Sequence, residues 1–146
     1  MGRSNSSSSN SGSTTTPVNE NAANVVAYAK SFVGRPYKWG GNDPHTGSDC
    51  SGFLVYIFNK YSKNGHRISR ADLPNFGGAT GAANFTKINP NNAAGGDIVV
   101  YSGHYAMLTG NGKEIVHAAN ERDGVKLSPA YNYTKVLGIY RYKYLK

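Results

Sequence analysis

Apolar residues recur three and four positions apart between Ala22 and Val33, at Ala22, Val25, Val26, Ala29, Phe32 and Val33. That is the period of one helix face, and Gly34 supplies a stop, so the spacing predicts a helix over 21–33. From Ser51 a second stripe runs through Phe53, Leu54, Ile57, Phe58 and Tyr61 and closes at Asn64-Gly65, predicting a second helix. The stretch between them, "GRPYKWGGNDPHTGSD", is dense in Gly, Pro, Asn and Asp and reads as loop. Residues 64–94 are polar and irregular, with short helical turns at most. The pattern then changes to strands at 97–101 (DIVVY), 104–108 (HYAML), 114–118 (EIVHA) and 136–144 (VLGIYRYKY). Helices followed by an antiparallel sheet predict an α+β fold. No internal repeat is visible.

The first twenty residues change the picture only by leaving it. "SNSSSSNSGSTTT" has no apolar residue and cannot offset the entropy of ordering, so 1–20 reads as a flexible linker or cloning remnant. A folded domain over 21–146 remains, about 125 residues and enough for a core without disulfides or a structural metal. No hydrophobic stretch approaches the roughly 18 residues of a membrane span, and the N-terminus lacks the apolar segment of a signal peptide. A linker opening directly into a domain suggests a piece of a longer multidomain protein, with any export signal upstream.

The net charge of +8 and isoelectric point near 9.6 favour polyanionic surroundings: nucleic acid, an anionic membrane surface, or an anionic wall polymer. The basic residues are scattered. "RYKYLK" at the C-terminus alternates base and aromatic in a way that can stack nucleobases, but an edge strand with solvent-facing lysines explains it more simply.

The candidate chemistry begins at "GSDCSGF", which holds the only cysteine, Cys50. A lone cysteine is a small core residue, a metal ligand, an idle thiol or a nucleophile. Cys50 falls where the Gly-rich loop becomes the second helix. There the free N–H groups and the positive end of the helix dipole are expected to lower its pKa and to hold an oxyanion.

Of the four histidines, His45 in the polar loop and His66 past the second helix are expected to face solvent. His104 and His117 lie in strands of one hairpin, and alternation puts both on one face. If Leu108 pairs with Lys113 they stand opposite. An Asn111-Gly112 type I′ turn shifts the register by two and makes them diagonal neighbours on the same face. Two imidazoles meeting beside a thiol fit nucleophile, base and orienter. A Cys-His-His zinc site is the rival arrangement, but no second cysteine or carboxylate stands at ligand spacing, so no metal or other cofactor is expected.

Four blocks, in order, resemble the NlpC-type (NlpC and p-sixty) family of papain-like cysteine peptidases that cut peptidoglycan stem peptides. They are "GRPYKWGGNDP", "GSDCSGF", "GGDIVVY" followed by "GHYAML", and "GNGKEIVHA", together spanning 34–118. The resemblance implies a papain-like arrangement, with the nucleophile at a helix N-terminus packed on the sheet that carries the histidines. It implies Cys50 as nucleophile, His104 as general base and His117 as the orienting residue. It also implies substrate contacts from Tyr37, Trp39, Asp49 and Ser51. Asp49 is suited to bind an ammonium, or equally to cap the helix. Three departures touch substrate detail: Tyr105 follows the base in "HYAML", "AAGGD" lacks a Pro, and "DLPNFGG" lacks the Arg that often follows Leu-Pro.

The activity so implied is cleavage between D-isoglutamate and the L-diamino acid, through a thiolate–imidazolium pair and a thioester. The alternatives are a CHAP-like amidase or cross-bridge endopeptidase and, from another class, a non-catalytic wall-binding module. The expected setting is the cell wall or extracellular space. The expected protein is a monomer acting on stem peptides, with anionic wall polymer as a second partner, no nucleic acid and no membrane span.

Overall fold

Helix α1 (Glu20–Lys30) ends sooner than its apolar stripe, and a hydrogen-bonded turn carries the chain on to Gly34. Phe32 in that turn is still buried, edge-on to Tyr28 at 5.1 Å, but Val33 is exposed, so the stripe ends one residue sooner than expected. These coordinates come from a computed structural model that describes residues 20–74 and 83–146. The expected linker over 1–20 falls, but for its last residue, outside the described residues, as does part of the irregular stretch after 64.

Two short paired strands, β1 (Asn42–Asp43) and β2 (Gly47–Ser48), tie the Gly-rich loop together. Helix α2 follows at Cys50–Lys60, burying Gly52, Phe53, Leu54, Ile57 and Phe58. Then come β3 (Phe85–Ile88), β4 (Ile98–Tyr101), β5 (His104–Leu108), β6 (Glu114–Asn120), β7 (Gly124–Pro129) and β8 (Val136–Tyr142). They form one antiparallel sheet in the order β3-β8-β4-β5-β6-β7. The chain is therefore α+β, with α2 lying against β5 and β6.

Strand alternation divides the core in two. Ile98, Val100, Met107, Val116 and Ala118 face the helices and meet Val25, Phe53, Leu54 and Ile57. Val99, Tyr101, Ala106, Leu108, Ile115 and Ile139 face the other way into a second cluster closed by Ala130. Removing a Leu, Ile or Phe from either layer would cost about 2–5 kcal/mol in transfer and cavity terms.

Strands β3 and β7 were not legible in the sequence. "FTKI" and "GVKLSP" are short and half polar, and each is held by pairing with a single neighbour, β3 with β8 and β7 with β6. The presence of β3 alters the reading of the C-terminus. Strand β8 lies between β3 and β4 and is not an edge. Tyr142 turns inward against Phe58 and Phe85, and Arg141 is paired with Asp97 at 2.8 Å. The base–aromatic alternation of "RYKYLK" thus splits into core aromatics and outer cations.

Candidate active site

Helix α2 begins at Cys50 because Asp49 caps it. Asp49 is extended (φ −87°, ψ −177°), and its Oδ1 accepts the Gly52 N–H at 2.8 Å, an interaction generally worth about 1 kcal/mol. Oδ2 accepts the Gly40 N–H at 3.0 Å, which ties the Gly-rich loop to the cap. Glycine is needed at 52 and at 41 for room. A Cβ on Gly52 would lie 2.1 Å from the Gly41 carbonyl oxygen, and one on Gly41 would lie 2.2 Å from that of Gly47.

Backbone N–H groups of Tyr105 and Ser51 stand near the Cys50 sulfur and favour its thiolate form. Tyr105 directly follows His104, so the thiol reaches the start of β5 beside the first histidine. The expected depression of its pKa is not realised. Burial pushes the thiol up and the Asp49 charge adds to that, outweighing the nearby N–H groups.

Histidines 104 and 117 are brought together as the hairpin argument required. His104 Nε2 lies 2.7 Å from His117 Nδ1. The register is the shifted one: Met107 pairs with Val116 and Leu108 with Ile115. The turn, however, is not type I′. Only Gly112 has a positive φ (+69°), and Asn111 Oδ1 accepts the N–H groups of Lys113 and Glu114 at 2.8 and 3.0 Å. An even-numbered loop of this kind keeps both histidines on one face.

The chain of contacts continues from β6 to β7, where His117 Nε2 lies 2.9 Å from Ser128 Oγ. Burial pushes the His104 pKa down to about 4 and lowers that of His117 as well, so both rings are neutral at pH 7. When Ser128 Oγ accepts, both rings carry their proton on Nε2 and His104 Nδ1 is left as a lone pair. Tyr133, from the β7–β8 segment, covers the pair with ring centroids 5.5 Å from His104 and 5.0 Å from His117. His104 also stacks on Tyr101 at 6.0 Å, and Tyr101 in turn meets Tyr133 edge-on at 5.4 Å. Ser128 and Tyr133 gave no sequence signal, since both lie in a segment whose strand was not recognised.

Arg70 is the other residue the sequence did not single out, an isolated cation in a polar stretch. Its Nη1 donates to Asp49 Oδ1 at 2.6 Å and to Ser51 Oγ, and its Nη2 donates to Gly41 O at 2.8 Å and Asn42 Oδ1 at 2.6 Å. The guanidinium lies across the first turn of α2 because Gly52 has no side chain to exclude it. Burial alone would raise the Asp49 carboxyl, but the Gly52 N–H and Arg70 pull it below the usual carboxylate range. Asp49 and Ser51 are thus engaged within the protein.

Tyr37 is half-buried, and its hydroxyl is pushed up by burial first and then by the neighbouring Cys50 and Asp49 charges. Trp39 is 82% exposed. His45 is exposed and paired with Asp43 at 2.8 Å. The expectation for His66 is corrected: it is half-buried, stacked on Tyr144 at 3.9 Å and bonded to Asn84 at 2.7 Å. Its position past the helix end brings it onto β8, which a sequence pattern does not reveal. Among the described residues no three His, Cys, Asp or Glu side chains gather to hold a metal, and no helix is long and apolar enough to cross a membrane.

The family model described as NlpC/P60 matches residues 34–140. Protein P54 of Enterococcus faecium is 33% identical over 119 residues, 78% of this chain and 21% of its own length. A bifunctional muramidase/DL-endopeptidase of Bacillus subtilis, CwlT, is 34% identical over 93 residues, 64% of this chain and 24% of its own length. The chain therefore spans about a fifth of the length of such curated relatives. Among solved structures, the NlpC/p60 domain of the peptidoglycan hydrolase SagA superposes with TM-score 0.62 at 32% identity, covering 85% of this chain and 98% of that one. An NlpC/P60 protein from Bacillus cereus superposes with TM-score 0.66 at 25% identity, covering 90% and 42%.

Proposed function

This chain belongs to the NlpC/P60 family, and from that premise we propose that it is a cell-wall hydrolase: a cysteine endopeptidase that cuts peptidoglycan stem peptides between D-isoglutamate and the L-diamino acid. The observation that carries the reading is the convergence at the start of β5. There the Cys50 thiol meets the Tyr105 N–H, beside a histidine that is hydrogen-bonded to a second one.

Cys50 is the nucleophile, His104 the base and His117 its orienter. The raised thiol and depressed imidazole favour a neutral resting pair over the ion pair expected from the helix dipole alone. The proton therefore moves as the bond forms. Sulfur attacks the γ-carbonyl carbon, the S–H proton passes to His104 Nδ1, and backbone N–H groups near Cys50 hold the oxyanion. His117 accepts from His104 Nε2–H and steadies the imidazolium that forms. The tetrahedral intermediate collapses to a thioester as His104 protonates the leaving amine. Water, deprotonated by His104, then releases the D-isoglutamyl carboxylate and restores the thiol.

Tyr37 and Trp39 contact the stem peptide, the exposed indole at the rim. Asp49 and Ser51 serve by fixing the loop around Cys50. Because Arg70 already neutralises Asp49, a free amino end on the substrate has no counter-ion to meet there, which supports action on stems still joined to glycan. The domain works as a monomer at the wall, outside the membrane, within a longer protein.

Mass spectrometry of muropeptides after digestion tests the reading. New stems beginning at the diamino acid support it. Release of stems beginning at L-alanine indicates the amidase instead, and no release by a protein that binds walls indicates a binding module.

A further inference from the structure

A cavity of about 720 Å³ opens on the face of α2 turned away from the sheet, lined by Asn42, Tyr56, Asn59, Lys60, Arg67 and Arg70 among others. We propose that it is a second binding site, separate from Cys50, which takes the phosphodiester groups of an anionic wall polymer. The proposal rests on the wall-hydrolase reading for the identity of the polymer, though not for the presence of the site.

Three cations line this cavity and no carboxylate does. The acids near it are engaged elsewhere: Asp43 with His45, Asp49 with Arg70, and Asp72 with the Ser69 N–H at 2.8 Å. Among the described residues Lys60 and Arg67 take part in no ion pair. Like charges gathered around one cavity repel, and a bound anion offsets that cost.

The walls are held in place, which distinguishes the cavity from a patch of mobile surface charge. The Asn59 amide grips the Ile68 backbone at both ends, Nδ2 to O at 3.0 Å and N to Oδ1 at 2.8 Å. That fixes the segment carrying Arg67 and Ser69 against α2. Arg70 is anchored by four hydrogen bonds. The Lys60 ammonium lies 5.7 Å from the Tyr56 ring centroid.

The donor set suits phosphate. Arginine and lysine give charge-assisted bonds to phosphate oxygens, while asparagine amides and tyrosine can bond the polyol hydroxyls. A polymer repeating one phosphate per unit also matches a chain of net charge +8, because rebinding of successive units compensates for a weak single contact. Arg70 is shared between this cavity and the cap beside Cys50, whereas among the described residues Lys60 and Arg67 form no ion pair with the Cys50 cap or the histidine pair.

The test uses the whole chain with glycerol 3-phosphate and with poly(glycerol phosphate) as probes, read by amide chemical shifts. Shifts should cluster at 56–60 and 67–71, and K60Q/R67Q should weaken binding by about tenfold. Co-sedimentation with walls should drop for that variant, and the difference from the parent should vanish on walls stripped of phosphate polymer by hydrofluoric acid. Cleavage of soluble muropeptides by K60Q/R67Q should be unchanged. Shifts centred elsewhere, or equal binding by parent and variant, would overturn the site. Phosphate binding without any muropeptide cleavage by the parent would leave the site standing and overturn the hydrolase reading.

Discussion

His104 Nε2 and His117 Nδ1 stand 2.7 Å apart although their backbones are not directly paired. The ladder that joins Met107 to Val116 sets His104 two residues along from its neighbour, and the rings close that diagonal. Such a diagonal lies within reach of long side chains, and imidazoles are long enough to close it. The same diagonal step takes His117 on to Ser128. One oriented row of hydrogen bonds thus crosses three strands.

That row implies a division of labour. Cys50→Ala and His104→Ala should each abolish muropeptide cleavage to a similar degree, because the two act as one unit. His117→Gln should keep measurable turnover, since an amide still bonds the imidazole, and His117→Ala should lose more. The ranking is read from kcat with thermal melts run alongside. If His117→Ala outlasted His104→Gln, base and orienter would have to be exchanged.

Burial sets the pH dependence. A His104 pKa near 4 means the base stays neutral well below pH 6.5, so the acid limb of kcat/KM should fall between about pH 4 and 5. Stability follows with a defined sign. In the unfolded chain the imidazole takes its proton near 6.5, and in the folded chain only near 4, so the unfolded state binds more protons between those values. The melting temperature should therefore decline as pH falls through that window. H104N should flatten the decline.

Burial also raises the Cys50 thiol. Iodoacetamide should alkylate it slowly at neutral pH, with a rate that climbs as pH rises past 9. Rapid, pH-independent alkylation below pH 6 would mean a preformed ion pair.

Tyr133 shields the histidine pair from water. Tyr133→Ala should rehydrate the rings and move the acid limb of the pH profile upward toward 6.5, whereas Tyr133→Phe should leave it in place. Equal profiles for all three proteins would make Tyr133 a bystander.

Arg70 holds a nearly buried carboxylate. Arg70→Gln should lower stability by on the order of 3 kcal/mol, by stranding the Asp49 charge, and should slow cleavage by loosening the cap at Cys50. Restoring Asp49 neutrality with Asp49→Asn in the same chain should recover part of the stability. A calorimetric double-mutant cycle measures it.

Both helices, four of the strands and the face shared by the two histidines were written in the chain itself. Helical spacing and strand alternation are local consequences of backbone geometry, so Phe53 and Ile57, or His104 and Leu108, declare their common face without a neighbour. The family blocks lie in the same class, because Gly41, Gly52 and Asp49 answer contacts made within a dozen residues. The tertiary structure alone decided the rest. Ser128 reaches His117 only because β7 pairs with β6. Arg70 joined Asp49 across twenty-one residues. The sign of the Cys50 shift was set by how deeply packing buries the thiol, a quantity that no stretch of seven residues contains.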